Sequence, residues 1–133
     1  MREIREILFR GKCCTTGEWV EGFLGIEVPD DYVIQQFSFD EYFASECIDQ
    51  YSVKLETVGQ YTGLTDKNDK KIFEGDIIFD PEMKENHIVM FDEGGFCTEE
   101  MFLQSYLCFD EMEVEVIGNI HDNPELLEVA END

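Results

Sequence analysis

A chain of 133 residues with 43% hydrophobic residues can bury one hydrophobic core, which excludes a second full domain and a wholly disordered chain. Its nine Lys and Arg residues stand against 32 Asp and Glu residues, and this net charge of −23 disfavours direct binding to nucleic acid or to an anionic membrane. The start MREIREILFRGK lacks the apolar core of a secretory signal, and the apolar stretch 101–109 is too short for a membrane helix, so we expect a cytoplasmic protein.

The first third of the chain predicts a hairpin followed by a strand and a short helix. Glycines and aromatics recur in EWVEGFLGIEV, which is typical of a bulged β-hairpin in which Trp19 and Phe23 enter the core. Residues 32–39, YVIQQFSF, have strand composition. In the segment 40–48 the apolar residues share one helical face and Ser38 is a suitable N-cap, so we expect a short helix there.

The middle of the chain predicts strands separated by polar turns. Val53 and Leu55 alternate with polar residues, and the turn 66–69, DKND, is rich in residues that hydrogen-bond their own backbone. The lysines of this region alternate with acids and indicate a solvated turn. The run 72–79 predicts a strand that is interrupted by a bend at Gly75 and Asp76.

The last third predicts a second hairpin, a strand and a terminal helix. Gly94 and Gly95 can supply the positive φ angles of a tight turn between HIVMF and FCTEEMFLQSY. The segment EVEVIG alternates as a strand does. Asn123 and Pro124 are a typical helix start, so NPELLEVAEN predicts a short C-terminal helix.

These elements predict a mainly β fold, an antiparallel barrel or sandwich of short strands with one or two short helices, including the C-terminal one. We expect a single domain over residues 1–133, with two strand clusters at about 1–58 and 59–123 as a possible subdivision, followed by the C-terminal helix.

No catalytic signature is visible, and we predict no catalytic residue, no cofactor and no metal site. The two histidines, His87 and His121, are interpreted as ordinary surface or half-buried residues. The turn 66–70 fails as a calcium loop because Lys70 stands where an oxygen ligand belongs. The odd cysteine count and the absence of a C-x-x-C spacing argue against disulfides and zinc, so we expect these thiols to have a buried or incidental role: Cys13, Cys14, Cys47, Cys97 and Cys108.

Four blocks of the sequence together resemble the YopX family, small proteins encoded largely by bacteriophages and prophages. The blocks are FRGK at 9–12, GEWVEGFL at 17–24, TVGQYTGLTDKNDKKIFEGDII at 57–78 and VIGNIHDNPELLE at 116–128. The resemblance implies a phage-derived, largely β protein of uncharacterised activity, and it brings no catalytic residue with it.

Two positions depart from the family pattern as we know it. Asp69 stands where Gly is usual, and Asp tolerates the left-handed backbone region. His121 stands where Tyr is common, which argues against a catalytic role for this histidine. The motif residues Tyr61, Thr62 and Glu74 could alternatively line a shared binding groove, since loop residues can serve recognition.

Three functional hypotheses follow. The first is a non-enzymatic accessory module that contacts an unknown protein partner, with self-association through a strand edge as a possible variant. The second is an acidic DNA mimic that occupies a nucleic-acid-binding protein. The third is a small-molecule binder or hydrolase with an unrecognised site, which would need shifted carboxylates in a pocket or a cluster around a histidine.

Overall fold

The fold was analysed in a computed structural model, which describes residues 6–27, 31–38, 46–99 and 113–127. Almost all regular structure in these residues is β-strand. The strands are β1 (Phe9–Lys12), β2 (Trp19–Glu27), β3 (Asp31–Ser38), β4 (Glu46–Ser52), β5 (Gly59–Thr65), β6 (Lys71–Phe73), β7 (Asp76–Asp80), β8 (Glu85–Ile88), β9 (Met90–Asp92), β10 (Gly95–Cys97) and β11 (Glu115–Asn119). The mainly β prediction is therefore confirmed.

The chain divides into two compact units, Met1–Tyr61 and Thr62–Asp133. In the first unit the strands follow the order β4-β3-β2-β1-β5, and neighbouring strands pair antiparallel. In the second unit the end of β5 neighbours β6, β11-β7-β8 form a three-stranded antiparallel sheet, and β9 pairs with β10. The sheets are open, so the predicted closed barrel is not supported in the described part of the chain.

The core of the first unit centres on β3. Val33 and Ile34 are consecutive and both are buried. Because successive strand side chains point to opposite faces, this strand is covered on both sides. After β4 the chain returns to the end of β1, where Val53 forms an isolated antiparallel bridge with Cys13.

Gly22 in β2 permits a close approach between strands that no other residue would allow. A Cβ at this position would overlap the carbonyl oxygen of Gln35 and lie 3.0 Å from the Ile34 side chain. The β1–β2 pair itself has a continuous register, so the predicted bulge is not in this hairpin. Phe23, which we placed in the core, is 42% exposed, so that prediction is wrong.

The second unit is built around β7, in which Ile77 and Ile78 are both fully buried. The buried cluster of this unit gathers apolar residues from β6, β7, the β8–β9 connection and the approach to β11. Its members are Ile72, Ile78, Val89, Val114 and Val116, with Leu64 and Phe96 packed against them.

The helix predictions fail over the described residues, which contain two short 3-10 helices, Leu55–Thr57 and Pro124–Leu127, and no α-helix. At the C-terminal end the Leu126 carbonyl accepts a hydrogen bond from Asn86 Nδ2 at 2.9 Å. The Asn123 side chain accepts from the preceding turn, at Asn119 N, rather than capping a helix. A tertiary partner thus takes the Leu126 carbonyl, and residues 128–132 of the predicted helix lie outside the described residues.

The predicted helix over 40–48 is wrong where the structure describes it, because residues 46–48 belong to β4 and Ser38 to β3. Pairing with β3 satisfies the backbone of this segment, which overrides a weak helical pattern. Residues 40–45 of that prediction lie outside the described residues. Leu55, read as a strand position, is exposed in a 3-10 helix instead.

No helix in the described ranges is long and apolar enough to cross a membrane.

Candidate interaction surface

Buried carboxylates in the second unit serve the backbone. Asp76 Oδ2 accepts a hydrogen bond from Phe73 N at 2.7 Å, and Asp80 Oδ1 accepts one from Glu82 N at 2.9 Å. Asp76 and Asp80 are both buried. Each carboxylate closes a turn next to β7, so these acids are explained by the fold.

Asp66 joins the β5–β6 turn to β11. Its Oδ1 accepts hydrogen bonds from Asn68 N at 2.8 Å and Lys70 N at 2.9 Å, and its Oδ2 accepts one from Val116 N at 2.9 Å. Burial raises the pKa of the Asp66 carboxyl, but the hydrogen bonds from Val116, Lys70 and Asn68, together with the Lys70 charge, outweigh burial and leave that pKa lowered.

The same turn explains the departure at Asp69. Its φ is 62°, the left-handed conformation, and its N–H donates to the Asp66 carbonyl at 3.0 Å. The prediction that Asp would be tolerated at this position is confirmed. Both Asp66 oxygens accept backbone N–H groups, so this carboxylate holds the turn in place.

His87 is the buried histidine of the second unit. Its side chain is 3% exposed, with Nδ1 2.6 Å from Glu99 Oε1 and Nε2 3.4 Å from Glu85 Oε2. Its interpretation as a surface or half-buried residue is wrong, because an imidazole with carboxylates on both sides can be buried with its nitrogens bonded. His121, by contrast, is half-buried in a turn held by Asn119 Oδ1.

The predicted groove residues divide between the units. Tyr61 is buried at the end of the first unit. In the second, Thr62 Oγ1 donates to the Ile72 carbonyl at 2.8 Å, and Glu74 is half-buried beside the β6–β7 turn. The hydroxyl of Thr62 therefore supports a strand connection, and a binding groove stays a prediction.

The thiols and potential metal ligands give no reactive cluster in the described residues. No group of three or more His, Cys, Asp or Glu side chains in these ranges could hold a metal ion. Hydrogen bonds from Thr16 and Thr15 lower the pKa of the buried Cys13 thiol. Cys14 and Cys47 are exposed and Cys97 is half-buried, and all are free thiols.

Large apolar side chains are exposed in both units. They are Ile7, Phe23, Ile26 and Leu55 in the first unit and Met83, Phe91 and Ile117 in the second. In the first unit Phe23 packs edge-on against Phe37, with ring centroids 5.5 Å apart. Scattered exposed apolar residues are common on protein surfaces, so exposure alone does not indicate an interface, and the neighbouring residues must be considered.

The β9–β10 hairpin carries one of these exposed residues beside a ring that packs against the core. Phe91 and Phe96 are direct cross-strand partners, with ring centroids 5.2 Å apart at an interplanar angle of 75°. Phe96 packs against the buried core, whereas Phe91 is 56% exposed. Phe96, the inner ring, thus supports Phe91, the outer ring, through their edge-on contact.

The predicted hairpin is confirmed over β9 and β10, but its turn is shifted by one residue, and residues 100–106 of its predicted second strand lie outside the described residues. Asp92 pairs with Gly95, so Glu93 and Gly94 form a two-residue loop with φ angles of 51° and 81°. This is the tight turn that twisted strands prefer. Asp92 Oδ1 accepts the Glu93 N–H at 2.9 Å, which leaves two acidic residues exposed at the tip beside Phe91.

Phe91 was not singled out from the sequence. The symmetric spacing of Phe91 and Phe96 about Glu93-Gly94 in FDEGGF would have paired the two rings across a two-residue loop. Which of the two rings faces the core depends on tertiary packing, and the sequence pattern does not reveal it.

The negative charge is unevenly divided. The first unit has twelve acids and five bases, a formal charge of −7, and the second has twenty acids and four bases, a formal charge of −16. Residues 85–99, which include β8, β9 and β10, contain four acids and no Lys or Arg. The surroundings of Phe91 along the chain are therefore acidic.

Comparison with known proteins gives a family and a structural relative. The sequence model of a family described as "YopX protein" matches residues 8–128. A solved structure titled "Crystal structure of protein EF1440 from Enterococcus faecalis" is similar, with a TM-score of 0.68 and 28% sequence identity over 94% of this chain and 100% of that chain. No curated protein matches the sequence.

Proposed function

The chain belongs to the YopX family, and from this premise we propose that it is a phage- or prophage-encoded accessory protein that acts by contacting another protein rather than by catalysis. The resemblance noted in the sequence supports the phage origin, and the high acidity supports a partner with basic residues.

One observation carries the proposal. Large apolar side chains are exposed on β2, β9 and β11, while the buried carboxylates Asp66, Asp76 and Asp80 accept hydrogen bonds from the backbone. These three buried carboxylates are thus accounted for by the fold, and the exposed apolar groups are not. Exposed aromatic and aliphatic groups are the usual anchors of protein interfaces.

The test is co-purification of the full chain from its source cells combined with sedimentation of the purified protein at low and high salt. We expect a partner in a fixed stoichiometric ratio with the chain, or a defined oligomer. A strict monomer at every salt concentration that co-purifies with nothing would overturn the proposal.

The charge of −16 on the second unit supports a second candidate, an acidic DNA mimic. In that case the target would be a nucleic-acid-binding protein whose basic groove accepts ordered carboxylates. The distinguishing measurement is competition. A DNA mimic is displaced from its partner by duplex DNA and binds far more weakly at high salt, whereas a partner held mainly by apolar contacts retains most of its affinity under both conditions.

A further inference from the structure

The β9–β10 hairpin combines three features of a binding surface for an extended segment. Its outer ring, Phe91, is more than half exposed. Its inner ring, Phe96, packs against the core cluster, so that the outer ring has a fixed support. At its tip, Asp92 and Glu93 are exposed and acidic. An apolar anchor bordered by charge is the composition of a small interface centre and its rim.

We propose that this hairpin binds a basic amphipathic peptide segment of a partner protein, with an apolar side chain seated against Phe91 and Lys or Arg residues facing Asp92 and Glu93. This inference rests on the proposed function, since it names the chemistry of the partner and the surface that receives it.

The negative charge around the hairpin indicates which kind of partner it binds. The absence of Lys and Arg from residues 85–99 and the −16 charge of the second unit favour a cationic segment. A second copy of this chain would bring the same negative charge and would be repelled at low salt. Nucleic acid and anionic membranes are disfavoured for the same reason.

The apolar anchor separates specific binding from general attraction to a strongly acidic protein. Any polycation will associate weakly with a chain of charge −23. A segment that also covers the exposed part of Phe91 removes a large aromatic surface from water. Its affinity should therefore exceed that of an equally charged polar segment by roughly tenfold.

The experiment titrates the isotopically labelled full chain with a short synthetic peptide of alternating Lys and Leu, and with a second peptide in which Ser replaces Leu. We expect amide shift changes concentrated on 90–97 with the Leu peptide, and binding roughly tenfold tighter than for the Ser peptide. Phe91→Ser should abolish that difference. Phe23→Ser, a matched change at another exposed ring, should preserve it.

The tip acids are tested with the double substitution Asp92→Asn and Glu93→Gln, which preserves side-chain size and the acceptor for the Glu93 N–H. We expect weaker binding of both peptides and a shallower salt dependence. The matched control is Asp49→Asn with Glu56→Gln, two exposed acids of the first unit.

Two outcomes would overturn the inference. One is shift changes spread over exposed acids throughout the chain, with no concentration on the hairpin. The other is an unchanged preference for Leu over Ser in the Phe91→Ser variant. If the natural partner co-purifies with Phe91→Ser in undiminished amount, the hairpin is excluded and the proposed function stands. If the wild type co-purifies with nothing and is a strict monomer, the proposed function itself fails.

Discussion

Replacement of Asp66 tests how the second unit is held together. One carboxylate bonds two N–H groups of the β5–β6 turn and the N–H of Val116 in β11. Val116 is buried, so Asp66→Ala leaves a donor without its acceptor, at about 1–3 kcal/mol. Loss of the two turn bonds, whose N–H groups can reach water, adds roughly 1 kcal/mol. We expect Asp66→Ala to reduce the free energy of unfolding by about 3 kcal/mol.

Asp66→Asn gives a sharper, pH-dependent form of this prediction. The amide keeps one oxygen but presents an NH₂ group to Val116 N, so we expect a loss of about 2 kcal/mol at neutral pH. Folding lowers the pKa of the Asp66 carboxyl below its ordinary value of 3.8. Its contribution is therefore present above the unfolded-state pKa and is lost as pH falls through the lower, folded-state pKa. The gap between wild type and variant should shrink in acid.

The assay is hydrogen exchange of the Ile77 and Ile78 amides in β7, followed from neutral pH into acid. Trp19, the only tryptophan, lies in the first unit, so exchange of amides in the second unit is the more direct readout for this site. Glu82→Gln, an exposed acid of the same unit, is the control and should change exchange little at any pH. An Asp66→Asn protein as protected as wild type at neutral pH would refute the reasoning.

The remaining predictions concern packing and turns. Gly22→Ala should destabilise the first unit by about 1–3 kcal/mol because the added Cβ would overlap a backbone carbonyl. At Gly25 the added Cβ meets the end of a flexible side chain, so Gly25→Ala should destabilise the unit less. Trp19 fluorescence in denaturant compares the two variants, and equal losses of stability would contradict the account. Phe96→Ala should lower the free energy of unfolding by about 3 kcal/mol, and Phe91→Ala should lower it by under about 1 kcal/mol. Hydrogen exchange of core amides measures both losses, and a reversed order would show that the wrong ring was assigned to the core. Asp80→Ala removes the acceptor of the β7–β8 turn and should cost about 1 kcal/mol in the same assay; no change would mean that the turn forms without it.

Local patterns in the sequence predicted much of the fold. Strand composition placed β3, alternation placed β11, and turn chemistry placed the bend at Gly75, whose φ is 94°, and the left-handed Asp69. These features depend on residues close in sequence, so they are legible without tertiary information.

The wrong predictions concern segments whose structure depends on contacts with residues distant in sequence. The segment 46–48 is a strand because β3 satisfies its backbone, and the turn at 124–127 is held by Asn86 from β8. Phe23 was assigned to the core because it is aromatic, but its side of β2 leaves it partly open. His87 was undervalued because its burial and its contact with Glu99, which follows β10, depend on tertiary packing, although Glu85 lies only two residues before it in β8.

Only part of the candidate surface could be predicted from the sequence. The hairpin and its acidic tip follow from the sequence, whereas the exposure of one ring and the burial of its partner follow from packing. Family membership supports the fold and the relation to other YopX proteins, and it adds no reactive group to this reading.

Photocrosslinking from position 91 in the source cells tests the central claim most directly. A photoreactive phenylalanine analogue replaces Phe91, and a matched protein carries it at Thr15, an exposed polar position of the first unit. The account predicts a light-dependent adduct with one basic protein from position 91 and none from position 15. No adduct from position 91, or the same adducts from both positions, would contradict it.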